Sequence, residues 1–73
     1  MNNKYYYYVA IKQYDGYNKT FEYVTKIDKK NDFAYWNKKD KPLQFKKFEA
    51  LEMVYGLRVN GFDACMITSF CEL

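Results

Sequence analysis

Four consecutive tyrosines, Tyr5-Tyr6-Tyr7-Tyr8, run into Val9-Ala10-Ile11, and this stretch limits the folds open to the chain. Aromatic and β-branched residues suit a pleated strand. In a strand, successive side chains point to opposite faces. An unbroken aromatic run must therefore load both faces of a sheet. Tyr5, Tyr7, Val9 and Ile11 fall on one side, and Tyr6, Tyr8, Ala10 and Lys12 on the other. The first set is the better core face. Whether the second set is covered depends on what the rest of the chain can lay over it.

The rest supplies little cover. Asp15-Gly16, flanked by Tyr14 and Tyr17, signals a hairpin. A second strand is expected over about Lys19 to Ile27. A five-residue loop sets Lys12 opposite Glu22 and Ile11 opposite Tyr23, so opposite charges and apolar pairs meet across the strands. Asp28 to Asp32 reads as a turn, Phe33 to Trp36 as a short third strand, and Asn37 to Pro42 as a lysine-rich loop. One segment, Lys47 to Val59, carries helical spacing. Ala50, Leu51, Val54 and Leu57 form its central apolar stripe, widened by Phe48 and Tyr55 on one side and Met53 on the other. Glu49, Glu52, Gly56 and Val59 are expected to face away. With Lys46 as N-cap, Glu49 stands at the third helical position. Asn60-Gly61 marks the stop, with Phe62 packing back on Leu57. Phe62 to Phe70 reads as a last strand, apolar on both faces.

The expected fold is a single α+β domain spanning residues 1–73, of order β-β-β-α-β. It is a mostly antiparallel sheet of strand order 4-1-2-3 with one helix on one face. The fourth strand is expected beside the first and parallel to it, through a right-handed crossover. A helix of about thirteen residues is roughly 20 Å long and covers only one face of four strands.

Composition removes most chemistry. The chain has 73 residues and no histidine. That excludes Ser-His and Cys-His nucleophile pairs and the commonest metal ligand. Ser69 is the only serine. Asp28, Asn31 and Asp32 do not follow the spacing of a calcium loop. Cys65 and Cys71, without histidine, do not make a usual structural zinc site. On one straight strand their α-carbons stand roughly 20 Å apart, so only a chain reversal near Thr68 would join them. No enzyme activity, cofactor or metal is expected. Met1 to Lys4 precede an apolar run of only Tyr5 to Ile11, unlike a signal peptide, and no stretch reaches the length of a membrane span. The expectation is a cytoplasmic chain with reduced thiols and no membrane association.

Charge is uneven along the chain. Residues 1–47 hold eleven lysines against five acids, and residues 48–73 hold Arg58 against four, for a total of +3. The alternation places Tyr6, Tyr8 and Val24 on an open face among Lys12, Lys26 and Glu22, with Phe21, Tyr23 and Ile27 inside. An exposed aromatic patch rimmed by charge marks a binding surface. Trp36 beside the lysine-rich loop reads either as an anchor with a charged rim or as a core tryptophan. The candidate binding residues are thus Tyr6, Tyr8, Lys12, Val24, Lys26 and Trp36. A protein partner fits an open face or the free edge at Phe33–Trp36. Single-stranded nucleic acid is the alternative, because aromatics stack bases while lysines neutralise phosphates. Against it stand a lone arginine and no glycine-rich phosphate loop. Self-association through the open face, giving a homo-oligomer, is a third reading.

The tyrosine-rich hairpin, then Phe33-Ala34-Tyr35-Trp36, then Pro42-Leu43-Gln44-Phe45 entering Phe48-Glu49-Ala50, then Asn60-Gly61-Phe62, resembles small accessory proteins of phages and mobile elements. The resemblance covers most of the chain and includes no catalytic motif. It implies a non-enzymatic module that binds a host protein, and some such proteins, the anti-CRISPR proteins among them, inhibit host defence. The net positive charge departs from inhibitors that mimic DNA.

Overall fold

A computed structural model of the chain describes residues 3–72, with side chains described from 6 to 68. The elements are β1 (Asn3–Asp15), β2 (Asn18–Asp28), β3 (Phe33–Asn37), α1 (Lys47–Val59) and β4 (Ala64–Glu72). They form one four-stranded sheet of order β3-β2-β1-β4. This is the expected order read from the other edge.

The β1–β2 hairpin differs from expectation in register. Asp15 pairs with Asn18 and Ala10 with Tyr23, so the loop is only Gly16 and Tyr17. Gly16 has φ +63° and Tyr17 has no positive φ. A glycine at the first central position is the requirement of a type II′ turn, whose twist matches the flanking strands. Relative to the expected five-residue loop, the pairing slips by one residue. Lys12 stands opposite Phe21, and Ile11 opposite Glu22. A one-residue slip moves a whole strand's side chains to the other face. Phe21 and Tyr23, expected in the core, therefore stand on the face of Lys12 and Tyr8. Val24, expected outside, joins Val9 and Ile11 in the core at 0% exposure.

A bulge then restores part of the expected pattern. The β2–β3 register shifts between Val24 and Lys26, leaving Thr25 as the extra residue. A bulge resets the alternation beyond it. Val24 and Ile27, three residues apart, both turn to the core side, while Lys26 pairs with Tyr35 on the opposite face. Asp28 closes the following turn. Its carboxylate accepts hydrogen bonds from the backbone N–H groups of Lys30 and Asn31 and from the Asn31 side-chain amide.

β4 runs antiparallel to β1, not parallel as expected. The cause is the connection after β3. Leu43 and Phe45 are extended and bond to the sheet: Leu43 N donates to Val24 O at 2.9 Å, and Phe45 N donates to Tyr7 O at 2.7 Å. This segment is wedged where β1 and β2 part, below the Ala10–Tyr23 pair. It carries the chain back along the sheet before α1 begins. The helix then runs with β1, and β4 must descend against it.

The α1 bounds are as expected. The Lys46 N–H donates to the Glu49 carboxylate at 3.0 Å, one half of a capping box; the lysine ammonium has no lone pair to return the other. At the far end Gly61 has φ +92°, its N–H donates to Arg58 O, and the Phe62 N–H donates to Leu57 O. These two bonds are the Schellman pattern. The buried stripe is narrower than expected. Ala50, Val54 and Leu57 are buried and Met53 half-buried, whereas Phe48, Leu51 and Tyr55 are exposed. Ala50 and Ala64 are fully buried in the one cluster, and small side chains allow a close approach that needs few contacts. The helix packs across β1 and β4.

β4 is unbroken between Cys65 and Cys71, so no reversal brings them together, and Cys65 is a free thiol. The side chains of Tyr5 and Cys71 lie outside the described residues.

Candidate functional site

The face of the sheet away from α1 carries the aromatic residues. Strand pairing places Tyr8, Ala10 and Lys12 beside Ile67, Cys65, Tyr23 and Phe21. Tyr6 shares their face by alternation. Beyond the bulge, Lys26 and Tyr35 extend the same surface toward the edge strand. No element lies over this face among the described residues. Ala10 is nevertheless fully buried there, because larger neighbours cover it within the sheet's own surface.

The rings are ordered relative to one another. Tyr8 meets Tyr23 edge to face, with centroids 6.3 Å apart. Phe33 meets Tyr35 the same way at 5.4 Å. Such pairs add about 0.5–1.5 kcal/mol beyond burial, so the rings are held rather than splayed in water. The Tyr8 hydroxyl also accepts a hydrogen bond from the Gln44 side-chain amide at 3.4 Å. Tyr8, Tyr23, Lys41, Pro42 and Ile67 line a shallow open hollow at the centre of the face.

Lysines interleave with these rings. The Lys19 ammonium stands 5.8 Å from the Phe21 centroid, and that of Lys26 stands 5.6 Å from the Tyr35 centroid. Both distances are within cation–π range. Glu22, expected beside them, lies on the opposite face across from Ile11. The central positions of the uncovered face are therefore aromatic, aliphatic or cationic, apart from the Cys65 thiol.

The six residues singled out from sequence divide three ways. Tyr6, Tyr8, Lys12 and Lys26 share the uncovered face. Val24 does not; the register turns it into the core. Trp36 does not either, since its position opposite Val24 puts it on the helix side. There it meets Phe62 edge to face at 4.9 Å, half-buried against the core. That placement fits the core alternative for Trp36. Phe21, Tyr23 and Tyr35 belong to the face, and sequence reasoning did not place them there. The signal for the first two was Gly16, whose place as first loop residue of a type II′ turn dictates the register.

The described side chains hold no cluster of three or more metal-ligating groups. No described helix is long and apolar enough to cross a membrane. No family model, curated protein or solved structure matches the chain.

Proposed function

We propose that this protein is a non-enzymatic binding module whose contact surface is the uncovered sheet face. The carrying observation is the register: it gathers Tyr6, Tyr8, Phe21, Tyr23 and Tyr35 on one face beside Lys12, Lys19 and Lys26, with no layer above them among the described residues. Ordered aromatic side chains lose little entropy on binding and are enriched at binding hot spots. The partner assigned is a protein with a flat, acidic surface. The resemblance to phage and mobile-element accessory proteins supports a host protein in the cytoplasm, with inhibition of a defence protein as the outcome of binding. In a host-lysate capture, the wild-type chain should retain a partner that Tyr8→Ala and Tyr23→Ala both lose while keeping wild-type circular dichroism. Retention by both variants would remove this face as the site.

The lysine–ring pairs favour a second reading, single-stranded nucleic acid. Stacking contributes about 1–3 kcal/mol per base, and phosphate contacts make affinity fall steeply with salt. An oligonucleotide titration followed by NMR should then shift Tyr6, Tyr8, Lys12 and Lys26 together at low salt. An unchanged spectrum at low salt would leave the protein partner alone.

A further inference from the structure

The sheet ends in two edge strands, β3 and β4, and they are built differently. Natural edge strands discourage pairing with another chain by short length, bulges, lysines or proline. β3 has five residues, stands beside the Thr25 bulge and leads into Lys38-Lys39-Asp40-Lys41. β4 has nine residues and pairs with β1 without a register shift. Between Asp63 and Glu72 it holds no charged residue, proline or glycine. No described element lies along its outer edge.

The backbone groups on that edge follow from the pairing. The Lys12 N–H donates to Asp63 O, so the odd-numbered residues of β4 bond to β1. Ala64, Met66 and Thr68 therefore turn their N–H and C=O groups outward. The Ala64 carbonyl shows this directly, since it accepts a hydrogen bond from Arg58 Nε at 2.8 Å. Below it, the groups of Met66 and Thr68 form a ready template for an added strand.

An apolar flank of α1 stands above the same edge. Glu49, Glu52, Met53 and Gly56 border the groove over β2 and β3. At about 100° per residue, Leu51, Tyr55 and Arg58 leave the helix on the other flank. The Arg58 bond to Ala64 places that flank on the β4 side. Leu51 is 42% exposed, Tyr55 72% and the adjoining Phe48 78%. Their spacing of three and four residues makes one stripe. Its height is fixed at both ends of the helix. Phe45, just before α1, bonds to Tyr7 opposite Thr68, and Asp63, just after it, bonds to Lys12. The middle of α1 is therefore level with Cys65 and Met66.

We infer that β4 pairs antiparallel with β4 of a second copy of this chain, giving a two-fold dimer with one continuous eight-stranded sheet. The axis runs perpendicular to the sheet beside Met66. That rotation reverses strand and helix directions and keeps each face on its own side. Met66 then pairs with Met66 of the second copy, and Ala64 with Thr68. The Ala64 carbonyl keeps Arg58 on one lone pair and accepts the Thr68 N–H of the second copy on the other. Both helices lie on the same face, antiparallel to each other. Each sits over the β1–β4 boundary, so their axes are two strand spacings apart, roughly 9–10 Å. Helices pack at about 8–10 Å, so the two flanks meet without adjustment of the sheet. Leu51 meets Leu51 of the second copy, Phe48 lies near its Tyr55, and the two Met66 side chains fill the space beneath. Glu49 and Glu52 stay on the far flanks. A foreign strand would satisfy the edge alone; a second copy also covers the helix flank at the same height, and one rotation closes the assembly. Strand edges and flanks of both copies together bury on the order of 1,000 Å², enough for a specific interface. The two uncovered aromatic faces become one surface on the other side.

Sedimentation equilibrium over a micromolar to near-millimolar series, with amide exchange by NMR at both ends of it, tests this. The wild-type chain should show a monomer–dimer equilibrium. The Met66 and Thr68 amides should exchange fast when dilute and slowly when concentrated, while those of Cys65 and Ile67, bonded to β1, stay slow throughout. Thr68→Pro and Tyr55→Lys should each raise the dissociation constant by about tenfold or more. The proline removes no bond to β1, because the Thr68 N–H faces outward. Tyr8→Lys should leave association unchanged. A wild-type chain that stays monomeric throughout would overturn the proposal. So would a dimer in which the Met66 and Thr68 amides still exchange fast, or one broken by Tyr8→Lys but not by Tyr55→Lys. Growth beyond the dimer would exclude the closed two-fold arrangement.

Discussion

Val24 is fully buried, and its neighbour Tyr23 stands on the face that no described element covers. The two occupy opposite sides of the strand, so substitutions there report the register directly. Val24→Ala should cost about 2 kcal/mol in urea unfolding, from two lost methyl groups plus the cavity left behind. A surface valine would lose no more than about 0.5 kcal/mol. Asp28 offers a test that depends on pH. Hydrogen bonds from the Asn31 side chain and then its backbone, with those of Lys30 and the charge of Lys26, hold its carboxyl below the ordinary aspartate value. A depressed carboxyl stabilises the fold above its unfolded pKa, and that contribution is lost as pH falls through the folded one. In an NMR titration the Asp28 midpoint should therefore lie below that of an unstructured aspartate. Asn31→Ala should raise it, because the largest cause is removed.

At the scale of elements, α1 is the part most openly written in the chain. Its start and end follow from Glu49 reaching back to Lys46 and from Gly61 taking a left-handed conformation after Asn60. Gly61→Ala should cost about 1–2 kcal/mol in thermal or chemical unfolding, because an L-residue is strained at that φ. The strands were legible as strands for the same local reason: Tyr, Phe, Val, Ile and Thr suit a pleat. Which way β2 faced was not. The expected register paired Lys12 with Glu22, a surface charge pair worth at most about 1 kcal/mol. The turn geometry at Gly16 outweighed it, and burial of Val24 came with the slip. The bulge at Thr25 has no sequence mark; Lys26 reached its expected face only because of it.

Across the whole molecule, the segment from Leu43 to Phe45 decides the topology. It bonds to both Val24 and Tyr7, and Phe45 is buried in the core. In hydrogen exchange, the Leu43 and Phe45 amides should exchange as slowly as core strand amides, while the exposed loop from Lys38 to Lys41 exchanges fast. Equal, fast exchange across 38–45 would contradict the wedge. The local pattern of the sequence by itself determined the element types, the helix bounds and the alternation that puts Tyr6 and Tyr8 on one side of the first strand and Tyr7 on the other. These follow from side-chain shape, periodicity and capping, which act within a few residues. Only the tertiary structure decided the direction of β4, the side of the helix left bare and the company kept by Tyr6 and Tyr8. Those depend on a one-residue register, one bulge and a three-residue wedge. The turn at Gly16 sets the first; the bulge and the wedge are selected by small energy differences between long-range pairings that no local window contains.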